Sequence, residues 1–256
     1  MINFIKKSKT VDQYSKLALI YDHIMRHVDY TSWANFISSI LKMNEINSGN
    51  ILDISCGTGS FLLKLSKYGY NLYGCDISAE MINQALLKSK KYDANIALFI
   101  KDMRDLKFDI TFNGVVSLFD SINYLKTEDD LLKNFISVSS ILSDNGIFIF
   151  DICTESNSLK NFFNYNETGE YKFMIYHRKS YYLKNKRFQI NEINIIDKNA
   201  GERYKEIHKQ RIYTIEEIQK IINLSTFKLL SIYDNFSFNP PNGQTERINF
   251  VLKKSN

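Results

Sequence analysis

The stretch ILDISCGTGSFLLKL, residues 51–65, decides the fold. An apolar pair, Ile51 and Leu52, runs into Asp53; small residues follow, and Phe61, Leu62 and Leu65 then recur at helical spacing. A chain of 256 residues with only 10 glycines places two of them, Gly57 and Gly59, in this turn. A strand that ends on a carboxylate and passes through small residues into a helix makes a tight turn. Its backbone N–H groups can approach a ligand with no Cβ in the way.

Two later strand ends extend the pattern. YGCDIS closes the next strand on Asp76, 17 residues after Gly59. A carboxylate there can accept from both hydroxyls of a ribose, or can serve with Ser78 as a helix cap. IKDMRDL then puts Asp102 after a third strand, where it can accept from the exocyclic amine of adenine while Met103 packs the ring, or stand as an ordinary loop aspartate. Asp53 at the head of the turn would repel a pyrophosphate and attract an ammonium group, and the run is not G-x-G-x-x-G. Acid, small residue, glycine and glycine therefore favour S-adenosylmethionine over a nicotinamide dinucleotide as cofactor.

The rest of the chain supplies an α/β frame. Strand-like NIALFIKD, FNGVVSLF and GIFIFDI alternate with helical AEMINQALLKSKKY and EDDLLKNFISVSSIL, the last capped by Thr127. Strands rich in Ile, Val and Phe with little alternation predict burial on both faces of a parallel, doubly wound, Rossmann-like sheet. Residues 10–44 read as helical, with Leu17, Ile20, Tyr21 and Ile24 on one stripe. After residue 170 the period shortens towards two: YKFMIYHRKSYYL, RFQINEINIID and ERYKEIHKQRIY predict an inserted three-stranded antiparallel sheet. TIEEIQKIINL, with Thr214 and Glu217 as a capping pair, and two final strands return to the main sheet. The expected organisation is a helical lid over 1–45, a cofactor-binding core over 46–155, the inserted sheet over 156–213 and the closing part of the core over 214–256.

Composition limits the function classes. The 44% apolar and 24% charged fractions are those of a globular chain that can bury a core without disulfides. Cys56, Cys75 and Cys153 are odd in number and widely spaced, which predicts buried reduced thiols and a cytoplasmic location. MINFIKKSKT has no apolar core of a signal peptide, and no apolar run is long enough to span a membrane. The net charge of +5 comes from 33 basic and 28 acidic residues scattered along the chain, a solvated surface rather than a basic stripe. Four histidines without close spacing argue against a catalytic metal.

Together ILDISCGTG, GCDIS, KDMRDL and LFDSINYL resemble a class I S-adenosylmethionine-dependent methyltransferase, and within that class the bacterial small-molecule enzymes related to glycine N-methyltransferase and the aminosugar N-methyltransferases. The resemblance covers almost the whole chain, including YDHIMRHVDYTSW at the front and EIHKQRIYTIEEI after the insertion. It implies a seven-stranded sheet whose last strand runs antiparallel. It implies that Asp53 holds the methionine amino group, Gly57 gives backbone approach, Asp76 holds the ribose, Ile77 packs the adenine, Asp102 and Met103 recognise its edge, and the backbone at Leu118 and Phe119 completes the methionine site. Where such enzymes usually have glycine this chain has Ser55, whose Cβ would restrict a positive φ. Asn113 stands where an acid is common and is expected to be structural.

Methyl transfer from a sulfonium is an in-line displacement, in which alignment and exclusion of water matter most. Tyr14 and Tyr21, seven residues apart, fall on one face of an expected helix, and the resemblance implies that this segment closes over the methyl group, which makes both candidate site residues. His208 is the candidate base, ahead of His177; Arg211 is a weaker candidate for an acidic group on the substrate. Trp33, the only tryptophan, is placed beside the methionine portion. Asp120, Asn123 and Tyr124, after the fourth strand, are expected to rim the acceptor pocket. A small-molecule amine or hydroxyl is the expected methyl acceptor. A tRNA or rRNA methyltransferase, for which the sequence has no aromatic single-strand platform, and a binding protein without turnover remain the other readings. The inserted sheet could form a homodimer interface as easily as a cover for the site.

Overall fold

The structure is a computed structural model and describes residues 7–255; residues 1–6 of the segment read for a leader, and Asn256, lie outside it. Strand β1 (Lys9–Thr10) is followed by a 3-10 turn at Leu17–Leu19, the short helix α1 (Tyr21–Ile24) and α2 (Tyr30–Met43). The central alternation is β2 (Asn50–Asp53), α3 (Ser60–Leu65), β3 (Asn71–Asp76), α4 (Ala79–Lys91), β4 (Ile96–Ile100), β5 (Phe112–Ser117), α5 (Glu128–Ile141) and β6 (Leu142–Cys153). Helix α6 (Glu155–Asn161) leads into β7 (Asn164–Tyr171), β8 (Met174–Leu183), β9 (Phe188–Asp197) and β10 (Glu202–Arg211). Helix α7 (Ile215–Asn223), β11 (Phe227–Asp234) and β12 (Arg247–Lys254) close the chain.

Seven strands form one sheet in the order β11-β12-β6-β5-β2-β3-β4, and the last strand, β12, runs antiparallel to both neighbours. Successive residues of the central strands enter opposite layers. Ile51, Ile147 and Ile149 pack with α2 and α3, whereas Leu52, Phe148 and Phe150 pack with α5 and α7. That is the double burial predicted from the unbroken apolar runs. Phe150 stacks on Phe250 across β6 and β12 at 5.0 Å and 3°. The expected caps form: Thr127 accepts from the Asp130 N–H, and Thr214 and Glu217 make a reciprocal capping box. Among the described residues no helix is long and apolar enough to cross a membrane.

The three strands expected in the insertion are β8, β9 and β10, and the sheet they form has two more members, in the order β1-β10-β9-β8-β7. Strand β7, NYNETGEY, escaped the sequence reading because Asn, Glu and Gly are poor strand formers and only its alternate half-buried positions betray it. Two-residue β1 pairs parallel to β10 through Lys9 and Tyr204.

The helix expected through residues 10–44 is broken. Tyr14 has φ +64°, and only α2, whose cap Asp29 accepts from Thr31 and Ser32, is a long helix. The periodic stripe is nonetheless real. Leu17, Ile20 and Ile24 pack on Met174, Tyr176, Ile193 and Ile195 of the inserted sheet, so its spacing reports a buried face rather than a continuous helix.

Candidate active site

A cavity of about 350 Å³ opens at the carboxyl ends of β2, β3, β4 and β5, where the strand order changes direction. Trp33, Asp53, Ser55, Gly57, Asp76, Ile77, Asp102, Met103, Leu118 and Phe119 line it, as do Tyr14, Tyr21 and Tyr124.

Its acidic end is built on backbone donors. Asp76 accepts from Gly57 N at 3.0 Å and Ser78 N at 2.9 Å, while the Ser78 hydroxyl caps α4 through Met81 N. The capping role considered for Asp76 therefore falls to Ser78. Asp53 accepts from Ser55 N at 3.0 Å, and burial pushes its pKa up to about 7, with Asp76 as a further raising influence. Burial also raises Asp76, against its backbone hydrogen bonds. Two adjoining carboxylates of this kind, Asp53 buried and Asp76 half-buried, favour a ligand that brings cationic or hydroxyl donors. Gly57 has φ +52° and nothing within 4 Å of where a Cβ would stand, so the turn there faces open space. The acid pair, this glycine and the surrounding apolar walls fit S-adenosylmethionine.

Two expectations in the turn change. Gly59, read as ligand-facing, does not line the cavity; it has φ +75°, and a Cβ on it would meet Ala85 Cβ at 3.2 Å, so its smallness serves the approach of α3 to α4. Ser55 is not among the residues with positive φ, so its Cβ strains nothing, and its hydroxyl meets that of Ser117 at 3.1 Å. Asp102 lines the cavity with its carboxylate held by Arg104, whose other arm reaches Asp130 at 2.8 Å. Trp33 stacks on Phe236 at 4.1 Å and leans on Phe119 at 5.3 Å.

After β5 the backbone takes two consecutive left-handed residues, Phe119 at φ +62° and Asp120 at φ +53°. Fully buried Asp151 holds them, accepting from Phe119 N at 2.9 Å and Asp120 N at 2.5 Å. Arg247 bridges Asp151 at 2.8 Å and Asp120 at 2.6 Å and lies 5.2 Å from the Phe119 ring centre. Strain at such residues persists only where the surroundings over-determine it.

Beyond Phe119 a second chamber of about 240 Å³ lies against the inserted sheet; Tyr14, Tyr21, Phe119 and Tyr124 line both spaces. Asp120 and His208 line the second. A hydrogen-bond chain crosses the boundary: Tyr14 to Tyr124 at 2.6 Å, Tyr124 to His208 Nδ1 at 2.9 Å, and His208 Nε2 to Glu206 at 3.0 Å. Burial raises both tyrosines, so they are phenols at neutral pH. For Glu206 the upward push of burial is outweighed by His208 and by the Leu17 and Lys16 amides, leaving a carboxylate below its ordinary value. A carboxylate can only accept, which assigns the proton to His208 Nε2 and leaves Nδ1 to accept from Tyr124.

Tyr14 and Tyr21 thus meet, ring centres 6.0 Å apart, but not through a shared helix. Asn123, expected at the pocket rim, is fully buried and lines neither space, because its amide accepts from Cys153 N and donates to Arg211 O. His177 is exposed and lines neither space. Arg211 binds Glu217 and the Lys126 carbonyl. Asn113 is structural, accepting from Asn50 N. Sequence reasoning missed Glu206, Asp151 and Arg247. Only Glu206 carried a signal, two residues from His208 and hence on the same strand face. It also missed Asp22, which reaches Thr58 at 2.6 Å and Lys88 at 2.7 Å and ties the N-terminal segment to the glycine turn.

Comparisons with known proteins meet this geometry. A methyltransferase-domain family model matches residues 51–146, from β2 into β6. A Bacillus subtilis protein named as a methyltransferase, YqeM, is 31% identical over 246 residues, 94% of this chain and 97% of its own length. The crystal structure of a S-adenosylmethionine-dependent methyltransferase from Clostridium acetobutylicum has a TM-score of 0.81 at 28% identity and covers 95% of this chain and 99% of its own. The dTDP-3-amino-3,4,6-trideoxy-alpha-D-glucopyranose N,N-dimethyltransferase of Streptomyces venezuelae is 29% identical over 134 residues, 52% of this chain and 55% of its own. The acid-tipped strands, the glycine turn and the full-length likeness place this chain in the family of S-adenosylmethionine-dependent methyltransferases.

Proposed function

We propose that this methyltransferase acts on an amine or hydroxyl of a small molecule held in the chamber against the inserted sheet. The observation that carries the reading is the wall of Tyr14, Tyr21, Phe119 and Tyr124, common to the acid-tipped cavity and to that chamber. S-adenosylmethionine supplies an electrophilic methyl whose thioether leaving group needs no proton. Asp53 would hold its ammonium group, Asp76 its ribose hydroxyls, Ile77 and Met103 its adenine faces and Asp102 the adenine edge, while the backbone at Leu118 and Phe119 and the ring of Trp33 would border the methionine arm.

The remaining work falls to the N-terminal segment, of which residues 7–45 are described, and to the insertion at 156–213, which together we take as the cover of the site. Tyr14 and Tyr21 exclude water and orient the nucleophile, an arrangement in which alignment alone can supply ~7–11 kcal/mol. The proton shed by the acceptor has a path through Tyr14 and Tyr124 to His208 Nδ1, with Glu206 opposite to stabilise the imidazolium. The likeness to an aminosugar N,N-dimethyltransferase supports a small acceptor. The three cysteines are free and buried, which suits a reducing, cytoplasmic setting.

The test is incubation with methyl-labelled S-adenosylmethionine and a fractionated cell extract. Label is expected in low-molecular-weight metabolites; label confined to RNA refutes the proposal.

A further inference from the structure

We propose that Arg178 forms an anion subsite in the second chamber, so that the methyl acceptor carries a carboxylate or a phosphate; this rests on the reading of that chamber as the acceptor site. Arg178 lies on β8 and lines the chamber together with the amides Asn157, Gln189, Asn191 and Gln210. A guanidinium has five N–H donors in a rigid fork. Among the described residues this one donates only from Nη2 to Asn191 Oδ1, at 3.1 Å, and its Nε is buried with no partner.

Of the two arginines that line the chamber, Arg178 is the one without a counter-ion. Arg104, Arg187, Arg211 and Arg247 each have a carboxylate within ion-pair distance, and among the described residues Arg178 has none. Glu167, directly opposite on β7, does not serve. Its carboxylate takes the hydroxyls of Tyr165 at 3.1 Å and Tyr176 at 3.2 Å. The guanidinium is instead flanked by aromatic rings, 5.2 Å from the centre of Phe162 and 5.5 Å from that of Tyr165, which fix its plane. The other arginine of the chamber, Arg247, is neutralised by Asp120 and Asp151. A held, partly desolvated cation with free donors is poised for bidentate contact with a planar or tetrahedral oxyanion. The neutral amides around it suit the hydroxyl or carbonyl groups of the same molecule.

Inorganic phosphate and acetate, titrated separately into the full chain saturated with S-adenosylhomocysteine, test the subsite by calorimetry and by amide chemical shifts. At least one anion is expected to bind saturably, and which one binds separates a phosphate from a carboxylate acceptor. Arg178→Met should weaken that binding at least tenfold and leave S-adenosylhomocysteine affinity unchanged. Asn191→Asp sets a carboxylate beside the guanidinium with almost no change in size, should have the same effect, and serves if the first variant does not fold. Equal anion affinity in the wild type and the variants, or no saturable binding of either anion, overturns the proposal. Label confined to RNA in the preceding experiment would remove the small-molecule reading without changing these anion affinities, so the two failures are separable.

Discussion

Affinity for S-adenosylhomocysteine should fall with pH through Asp53. That carboxyl is buried at the tip of β2, accepts Ser55 N and has Asp76 rather than a cation beside it; burial pushes its pKa up to about 7. An ammonium group brought opposite it favours the ionised form and returns the pKa towards the ordinary ~3.9. Below about 7 the free protein is then protonated at Asp53 and the complex is not, so binding releases a proton and weakens as acidity rises. With a tenfold change for each unit well below the free value, the dissociation constant should rise about fiftyfold between pH 7 and pH 5. The same shift acts on the unliganded chain with the opposite result. A carboxyl pKa raised on folding opposes folding increasingly as pH climbs from the unfolded to the folded value, so stability should increase as pH falls from 7 towards 4, by ~3 kcal/mol. Calorimetry at three pH values, repeated in buffers of different ionisation enthalpy, gives both the affinity and the proton count. Asp53→Asn should remove most of the slope and leave a smaller part from Asp76, which burial also raises. A dissociation constant that stays flat with pH, or an unaltered slope in Asp53→Asn, would refute the reasoning.

Asp76→Asn keeps the shape of the turn but loses a charged acceptor, so S-adenosylhomocysteine should bind ~10–100-fold more weakly by calorimetry, the loss of ~1.5–3 kcal/mol typical of hydrogen bonds to a charged group. The two glycines of the turn should separate: Gly57→Ala forces a methyl-bearing residue to φ +52° facing the cavity and should impair binding, whereas Gly59→Ala presses on Ala85 and should lower the melting temperature while binding persists. Arg247→Met leaves Asp151 buried without its cation and should destabilise the chain by ~3–5 kcal/mol in denaturant titration; a loss below 1 kcal/mol would mean that the backbone donors alone hold that carboxylate.

The parts of this molecule governed by local patterns were legible in the sequence. Ile51 to Leu65 carries the strand, turn and helix in adjacent residues, and Thr127 and Thr214 announce their helices through Asp130 and Glu217, each three residues on. The lining of the acid-tipped cavity could be read for the same reason, since Asp53, Asp76 and Asp102 sit at or just past strand ends and Gly57 in the turn after β2. The links around the second chamber could not. Glu206 caps amides 190 and 189 residues away, and Arg247 joins two acids 127 and 96 residues distant, so no window of sequence contains either interaction. The break at Tyr14 was hidden for a related reason. An apolar stripe at helical spacing also arises in short turns laid on a sheet, and the carboxylate that ends the helical option comes from β10.

Glu206 also dictates how the site can open. It accepts Tyr14 N and Lys16 N at 2.7 Å and Leu17 N at 2.9 Å while β1 adds itself to β10. Peeling the front of the chain off alone would strand a buried charge and break three bonds to it, each worth ~1.5–3 kcal/mol. Any opening of the active site is therefore cheaper when the front segment stays docked on the five-stranded sheet than when it lifts away by itself.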